Sequence, residues 1–214
     1  MFPHTKEEIA LIKNGYKFIA GIDEAGRGSW AGPVVAAAVV MPVSHFHPVG
    51  GISPFLSGVK DSKLISSKMR DKLFDEIIEN CLGYGVGIVE NDTIDEINIY
   101  QASKLAMKNA VENIKGIIPE YLLIDAMALD ADIPQKAIIK GDTNIYSIAC
   151  ASIIAKVTRD RLMIEFHEKY PEYGFDLHKG YGTKIHSEAL TKNGPCEIHR
   201  FSYKPIISIT SNML

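Results

Sequence analysis

The residues in this sequence best suited to chemistry are acids that follow short apolar runs. Asp23 and Glu24 close Phe18-Ile19-Ala20-Gly21-Ile22, and Asp125 closes Tyr121-Leu122-Leu123-Ile124. Asp142 follows Ala137-Ile138-Ile139 after Lys140-Gly141. Bounded apolar runs of this kind read as buried strands, which puts the acids at strand ends. Carboxylates converging on one rim repel strongly unless cations sit among them. Hard oxygen ligands in that number suit Mg²⁺ or Mn²⁺ and not zinc. Two such ions about 3.5–4 Å apart can activate water and stabilise both oxygens of an in-line phosphoryl displacement. Each acid also has a plainer reading. Asp23-Glu24 suits a solvated turn, Asp125 a polar strand terminus, and Asp142 a helix N-cap or first-turn acid. The threefold recurrence of strand-then-acid favours a shared metal site.

Behind the first pair lies Gly26-Arg27-Gly28, and then the second apolar run, Val34 to Val40. Glycines here can take positive φ and let a ligand approach the backbone, with Arg27 as a donor between them. A dinucleotide loop is excluded. Gly26, Gly28 and Gly32 are one residue out of step with G-x-G-x-x-G, and Pro33 with a β-branched run follows where a helix would have to start.

The elements that must position these residues alternate along the chain. Thr5 and Glu8 predict a capping box on a helix over 5–14. Strands are expected at 18–23 and 34–40, then a Pro- and Gly-containing loop over 42–60 in which His45 and His47 have no assigned role. Ser66 or Ser67 caps a helix to about Asn80, with a stripe of Met69, Leu73, Phe74, Ile77 and Ile78. The alternating glycines of 83–89 mark a strand that another element approaches closely. Thr93 and Glu96 predict a second capping box, on a helix that runs with a break to Ile114. Strands 121–125 and 137–139 follow, and Asp130 and Asp132 between them are surface acids. The long helix from Ser147 opens with small residues, so it can lie close on the sheet, and Lys156 and Arg159 mark one polar face. Beyond Pro171 and Gly174 come loop, a helix over 185–192 and a Pro-containing tail. This order argues for an α/β layered domain with a mixed sheet and a helical C-terminal part.

Composition sets bounds. A chain of 214 residues can bury one core, and 46% hydrophobic with 23% charged residues is ordinary for a soluble globular protein. No apolar run approaches the ~20 residues of a membrane span, and the first 17 residues lack a signal-peptide core. Cys81, Cys150 and Cys196 are widely spaced without C-x-x-C, which points to a reducing, cytoplasmic setting. The net charge of −3 predicts no nucleic-acid partner by itself. From His178 to Lys204, however, five basic residues face two acids, with Tyr181, Phe201 and Tyr203 between them. That is the footprint of a phosphate-backbone surface, or of a solvated helical face.

Taken together, Gly21 to Gly28, Asp61-Ser62-Lys63, Leu123-Ile124-Asp125, Lys140-Gly141-Asp142 and Ala151 to Asp160 resemble ribonuclease HII, the type 2 ribonuclease H. Tyr173-Gly174-Phe175, His178 to Thr183 and Gly194 to Arg200 extend the resemblance, which covers about 18–205. It implies an RNase H-like three-layer fold, with a central mixed five-stranded sheet flanked by helices, plus a helical C-terminal extension. One catalytic domain is expected, with a core over about 18–160 and a substrate-binding part over about 161–214. The implied activity is a metal-dependent endonuclease. It would cut the RNA strand of RNA/DNA hybrids and nick DNA 5′ of embedded ribonucleotides, leaving 3′-hydroxyl and 5′-phosphate ends, in ribonucleotide and primer removal. By position, Asp23, Glu24, Asp125 and Asp142 are the implied ligands of Mg²⁺ or Mn²⁺. Gly26, Arg27 and Gly28 would read the ribose 2′-hydroxyl, Lys63 would hold a phosphate, and Tyr181 would stack on the following deoxyribose. A monomer without membrane association is implied. Two departures stand out: Ala126 occupies a position where the family usually has glycine, and the 43–60 loop is long. The rivals are a metal-dependent phosphohydrolase of small molecules and a hybrid-binding protein with a weakened metal site. The type 3 relatives carry a different turn after the acid pair and an added N-terminal domain.

Overall fold

The computed structural model describes residues 3–46, 58–59 and 65–212. Asp61-Ser62-Lys63 and most of the 43–60 loop, His47 included, lie outside the described residues. Five strands form one sheet: β1 (Ile19–Ala25), β2 (Val34–Val40), β3 (Gly83–Val89), β4 (Tyr121–Asp125) and β5 (Gln135–Ile138). Their order is β3-β2-β1-β4-β5. The β1–β2 and β2–β3 pairs are antiparallel, and β1–β4 and β4–β5 are parallel. The sheet is therefore mixed, as the alternating pattern predicts.

Eight α-helices accompany it among the described residues: α1 (Lys6–Lys13), α2 (Ser67–Asn80), α3 (Asn91–Glu112), α4 (Gly141–Asn144), α5 (Tyr146–Lys169), α6 (Phe175–His178), α7 (Lys184–Asn193) and α8 (Lys204–Asn212). Strand residues alternate between two faces. Ala20, Ile22, Ala36, Ala38 and Leu122 pack with Ala102, Ala106 and Ala110 of α3, whereas Ala37 and Val39 pack with α2 and α5. The result is three layers, helix on sheet on helix.

Small residues set the layer spacing. A Cβ added at Gly21 would lie 2.1 Å from the Ser147 carbonyl carbon of α5, and one at Gly87 would lie 2.0 Å from the Ala106 oxygen of α3. The alternating glycines of β3 thus mark a helix approaching the strand, as their pattern predicts.

Three capping and terminus expectations are corrected. Thr5 makes no side-chain cap on α1. Glu8 is fully buried and instead accepts from Ser147 N (3.0 Å) and Oγ (2.9 Å), anchoring the first turn of α5 from a distant element. Helix α3 starts at Asn91, ahead of Thr93, and its break falls at Asn98 (φ 66°, ψ 161°). Asn98 Oδ1 accepts from Tyr100 N (3.0 Å) and Gln101 N (3.2 Å), capping the second segment. The tail after Arg200 is helical, because Pro205 falls in the first turn of α8, where its missing N–H costs nothing.

The C-terminal elements have a small core of their own. Met163, Tyr173, Phe175, Leu190, Ile198 and Ile206 enclose Ala31 from the turn after β1. That insertion ties the turn to the C-terminal helices.

Candidate active site

Strands β1 and β4 are parallel neighbours, with Ile22 opposite Ile124. Asp23 and Asp125 are the next residues along each, so two acids emerge side by side at the carboxyl ends of the strands. Strand β1 continues through Ala25, so Asp23 and Glu24 belong to the strand and do not follow it. Asp142 lies in the first turn of α4 and is 8% exposed. Asp125 Oδ1 accepts from Gly141 N at 2.6 Å, which fixes the β4 end against the start of α4.

All four acids line one cleft of about 540 Å³, together with Gly26, Arg27, Gly28, Arg70, Ser152, Lys156 and Tyr181. The structure therefore places eight of the nine expected site residues around a single cavity, and the ninth, Lys63, lies outside the described residues. Among the described residues, no three acid, histidine or cysteine side chains close on one point as a finished ligand cage. Asp23 Oδ1 is turned to Glu24 N (2.8 Å), and Glu24 Oε1 lies 3.5 Å from Arg27 Nη1.

The electrostatics fit a hard divalent cation. Burial first, then the charges of Glu24 and Asp125, hold the Asp23 carboxyl well above the usual range. Burial likewise pushes Glu24 up to about 6, with Arg27 opposing and Asp125 adding to the shift. Glu24 Oε2 is buried with no hydrogen-bond partner among the described residues. Buried, mutually repelling, under-partnered oxygens are what a cation would relieve.

A pH dependence follows from this. A carboxyl whose pKa is raised on folding binds its proton more tightly in the native state. Its stabilisation is full below the unfolded value and is lost as pH rises through the folded one. In EDTA, Glu24→Gln should therefore raise the melting temperature more at pH 7.5 than at pH 4.5. Equal shifts at both pH values would contradict the assignment.

Ala126, next to Asp125, has φ 56°. Met127 N donates to Asp125 O at 2.7 Å across it, closing a tight three-residue turn, while Ala126 N is held by Ile138 O at 3.0 Å. Left-handed backbone costs alanine about 1–2 kcal/mol, against the roughly 0.5–1 kcal/mol entropic penalty of glycine. Ala126→Gly should thus raise stability by about 0.5–1 kcal/mol in urea unfolding. A loss of stability would show that the methyl group packs favourably.

The turn over 26–33 is gripped from beneath by two arginines that sequence reading does not single out for this task. Arg159 is expected on a polar face of α5 but is 0% exposed. Its Nε donates to Pro33 O (2.9 Å), Nη1 to Lys179 O (2.8 Å) and Nη2 to Ala31 O (3.0 Å). Arg200, also fully buried, donates from Nε to Gly32 O (3.0 Å) and from Nη1 to Arg27 O (3.1 Å). The available signal was helical spacing: Ser152, Lys156, Arg159 and Met163 share one stripe of α5, and both ends of that stripe are buried.

Gly26 has φ 95°, and a Cβ there would lie 2.0 Å from Arg159 Nε, so both backbone and packing require glycine. A Cβ at Gly28 meets nothing within 4 Å. Gly28 therefore leaves the cleft wall open. Tyr181 is bridged to Ser29 in antiparallel fashion, and Lys156 Nζ lies 5.3 Å from its ring centroid. The same lysine bonds Asp160 Oδ1 at 2.7 Å.

Comparison with known proteins settles the family, since the description "Ribonuclease HII" matches residues 20–206. The chain belongs to the ribonuclease HII family. It is similar to ribonuclease HII of Caldicellulosiruptor bescii, with 53% identity over 204 residues and 94% of each chain covered. A ribonuclease HII of Bacillus cereus is 54% identical over 202 residues, covering 94% of this chain and 75% of the relative. Among solved structures, the ribonuclease H2 from Pyrococcus horikoshii OT3 superposes with a TM-score of 0.73 at 29% identity, covering 91% of this chain and 98% of that one. The chain is thus a ribonuclease H, a hydrolase of phosphodiester bonds, in a divalent-metal-dependent family that acts on RNA/DNA substrates. No helix among the described residues is long and apolar enough to cross a membrane.

Proposed function

We propose that this chain cuts the RNA strand of RNA/DNA hybrids and nicks duplex DNA 5′ of an embedded ribonucleotide, leaving 3′-hydroxyl and 5′-phosphate ends. The observation that carries the reading is the single cleft shared by the four acids, the Gly26-Arg27-Gly28 turn and Tyr181. Asp23, Glu24, Asp125 and Asp142 would hold Mg²⁺ or Mn²⁺. Bound there, such ions supply an activated water and neutralise charge on the scissile phosphate.

The chain's own residues do the selecting. Telling RNA from DNA comes down to the 2′-hydroxyl, which both donates and accepts hydrogen bonds. The turn offers backbone groups at the edge of the acid cluster, with the open wall at Gly28 admitting the sugar. The flat Tyr181 ring packs on a deoxyribose and crowds a 2′-hydroxyl, which favours an RNA–DNA junction over continuous RNA. Lys156 and Arg70, lining the same cleft, place positive charge where a phosphodiester backbone would pass. Lys63 is proposed as a further phosphate ligand, and residues 161–214 as the part that carries the substrate duplex.

One gel tests this. It compares a DNA duplex with one ribonucleotide, an RNA/DNA hybrid and plain DNA, each with Mg²⁺ or EDTA, using wild type and Tyr181→Ala. Wild type should cut the first two substrates only, and only with metal. Tyr181→Ala should lose about tenfold or more at the single ribonucleotide, the scale of one sugar–aromatic stacking interaction. Cleavage of plain DNA, or cleavage in EDTA, would sink the reading.

A further inference from the structure

Three histidines of the C-terminal part form a connected group outside the acid cluster: His178, His186 and His199. His186 and His199 are 0% exposed and His178 is 8% exposed. The His178 and His186 rings stack at 4.4 Å with 12° between planes, and His186 Nε2 lies 3.0 Å from His199 Nε2.

Fixed backbone donors and acceptors settle where each proton sits. His186 Nδ1 lies 3.0 Å from Tyr181 O, an acceptor only, so the neutral His186 ring carries its proton on Nδ1 and leaves Nε2 bare. His199 Nε2, 3.0 Å from that bare nitrogen, must then be the donor. The His199 Nδ1 is thus the acceptor for Cys196 N at 2.9 Å, with the Cys196 carbonyl oxygen (3.1 Å) and Sγ (3.2 Å) beside it. His178 accepts from Gly180 N at Nδ1 (3.2 Å) and donates from Nε2 to Tyr173 O (2.8 Å). The bonds run in one direction, from Cys196 N–H through His199 and His186 to the carbonyl of Tyr181.

We propose that the His199–His186 chain is the positioning device of Tyr181, and that by holding its backbone carbonyl it sets the preference for an RNA–DNA junction over continuous hybrid. The proposal rests on the reading of Tyr181 as the residue that packs on the deoxyribose. Gly180 and Gly182, on either side, are pinned by their neighbours. A Cβ at Gly180 would lie 2.5 Å from Ala31 O, and one at Gly182 would lie 2.2 Å from the Trp30 ring. The segment is thus closely packed on both sides of Tyr181, whose own N–H donates to His178 O at 2.9 Å. His186 Nδ1–H, with Thr183 N at 2.8 Å, occupies the Tyr181 carbonyl. Burial pushes both His186 and His199 down to about 4 and also lowers His178, which keeps the chain neutral at working pH.

The test compares kcat/KM on a single-ribonucleotide duplex with kcat/KM on a continuous RNA/DNA hybrid, for wild type, His186→Leu, His186→Asn and Tyr181→Ala. Asparagine keeps an N–H donor at the Nδ1 position, whereas leucine keeps only bulk. His186→Leu should lower the junction-to-hybrid ratio about tenfold and His186→Asn should restore it to within about threefold, the range of one buried hydrogen bond. Equal losses on both substrates, or asparagine behaving as leucine does, would overturn the proposal. If Tyr181→Ala leaves the ratio unchanged, the reading of Tyr181 itself fails. If Tyr181→Ala lowers it and folded His186→Leu does not, the histidine link alone fails. Should His186→Leu not fold, ring ¹⁵N shifts of the wild-type enzyme at pH 7 decide. Nδ1–H on His186 with Nε2–H on His199 supports the chain, and the opposite tautomer or an imidazolium overturns it.

Discussion

Asp125→Asn should lower cleavage at least about a thousandfold while leaving the metal-free protein as stable as wild type or more so. The two halves of this expectation have one cause. Asp125 stands beside Asp23 at the ends of parallel strands, and its charge helps raise both the Asp23 and Glu24 carboxyls. Asparagine is nearly isosteric, and its Oδ1 can still accept from Gly141 N, which Asp125 holds at 2.6 Å. The α4 connection therefore survives the change. What disappears is one negative oxygen donor and one source of repulsion. Without a cation, losing repulsion stabilises the fold by about 1 kcal/mol, read as a higher melting temperature in EDTA. With Mg²⁺ or Mn²⁺, the lost ligand weakens binding, so wild type gains melting temperature on metal addition and the variant gains much less. The signature is an inversion: less stable than the variant in EDTA, wild type becomes the more stable with metal. Activity within tenfold of wild type, or a variant that melts lower in EDTA, would remove Asp125 from the proposed metal site.

Strands β1 to β4, their acids and the close-packed helices were legible because each is written locally. Strand β5, in contrast, runs over Gln135–Ile138 with Ile139 exposed beyond it, and is not the buried run expected at 137–139. Bounded β-branched runs, alternating glycines in β3 and small residues opening α5 carry their meaning in spacing alone, and the sheet follows from them. The positions of Asp125 and Asp142 needed the recurrence of strand-then-acid, since either alone suits a polar terminus equally well. Two of the misreadings, at Glu8 and Arg159, share a physical form: the side chain's partners lie on a distant element. Glu8 leaves its own helix end to hold Ser147, 139 residues away. Thr93 is passed over because α3 begins earlier, and the break belongs to Asn98, whose side chain caps the segment after it. Arg159 reads as solvated because arginine usually is, and only tertiary structure supplies three backbone carbonyls for it. At Ala126 the sequence marks the position but not its backbone. An alanine where glycine is usual does take positive φ, beside the acid whose direction the turn sets.

Arg159→Lys should destabilise the protein by about 3–4 kcal/mol, a fall of roughly 10 °C in melting temperature, and should weaken cleavage of every substrate. The planar fork reaches Pro33 O, Ala31 O and Lys179 O at 2.8–3.0 Å. A single ammonium nitrogen cannot take the places of three separate guanidinium nitrogens, each of which bonds a different carbonyl. At least one buried carbonyl and part of a buried charge would go unpartnered, and both are costly. Burial pushes Arg159 down to about 10, with the Tyr181 ring opposing, so the guanidinium remains charged at neutral pH. Its acceptors are neutral carbonyls, so this charge is not cancelled by a carboxylate at the same nitrogens. It sits beneath the turn that carries Gly26, Arg27 and Gly28, 5.4 Å from the centroid of the Tyr181 ring. The same cation thus fixes the shape of the turn proposed to read the ribose, and adds positive potential along the cleft. Arg200, holding Gly32 O and Arg27 O, braces the other side, so Arg200→Lys should show a smaller version of the same loss. Because Arg159 joins the turn to Lys179, two residues before Tyr181, its loss should loosen both sides of the cleft together and raise KM on hybrid and junction substrates alike. His186→Leu, in contrast, should separate the two substrates. An Arg159→Lys protein that melts within about 2 °C of wild type would show that the turn is held by its own backbone and not by the arginine.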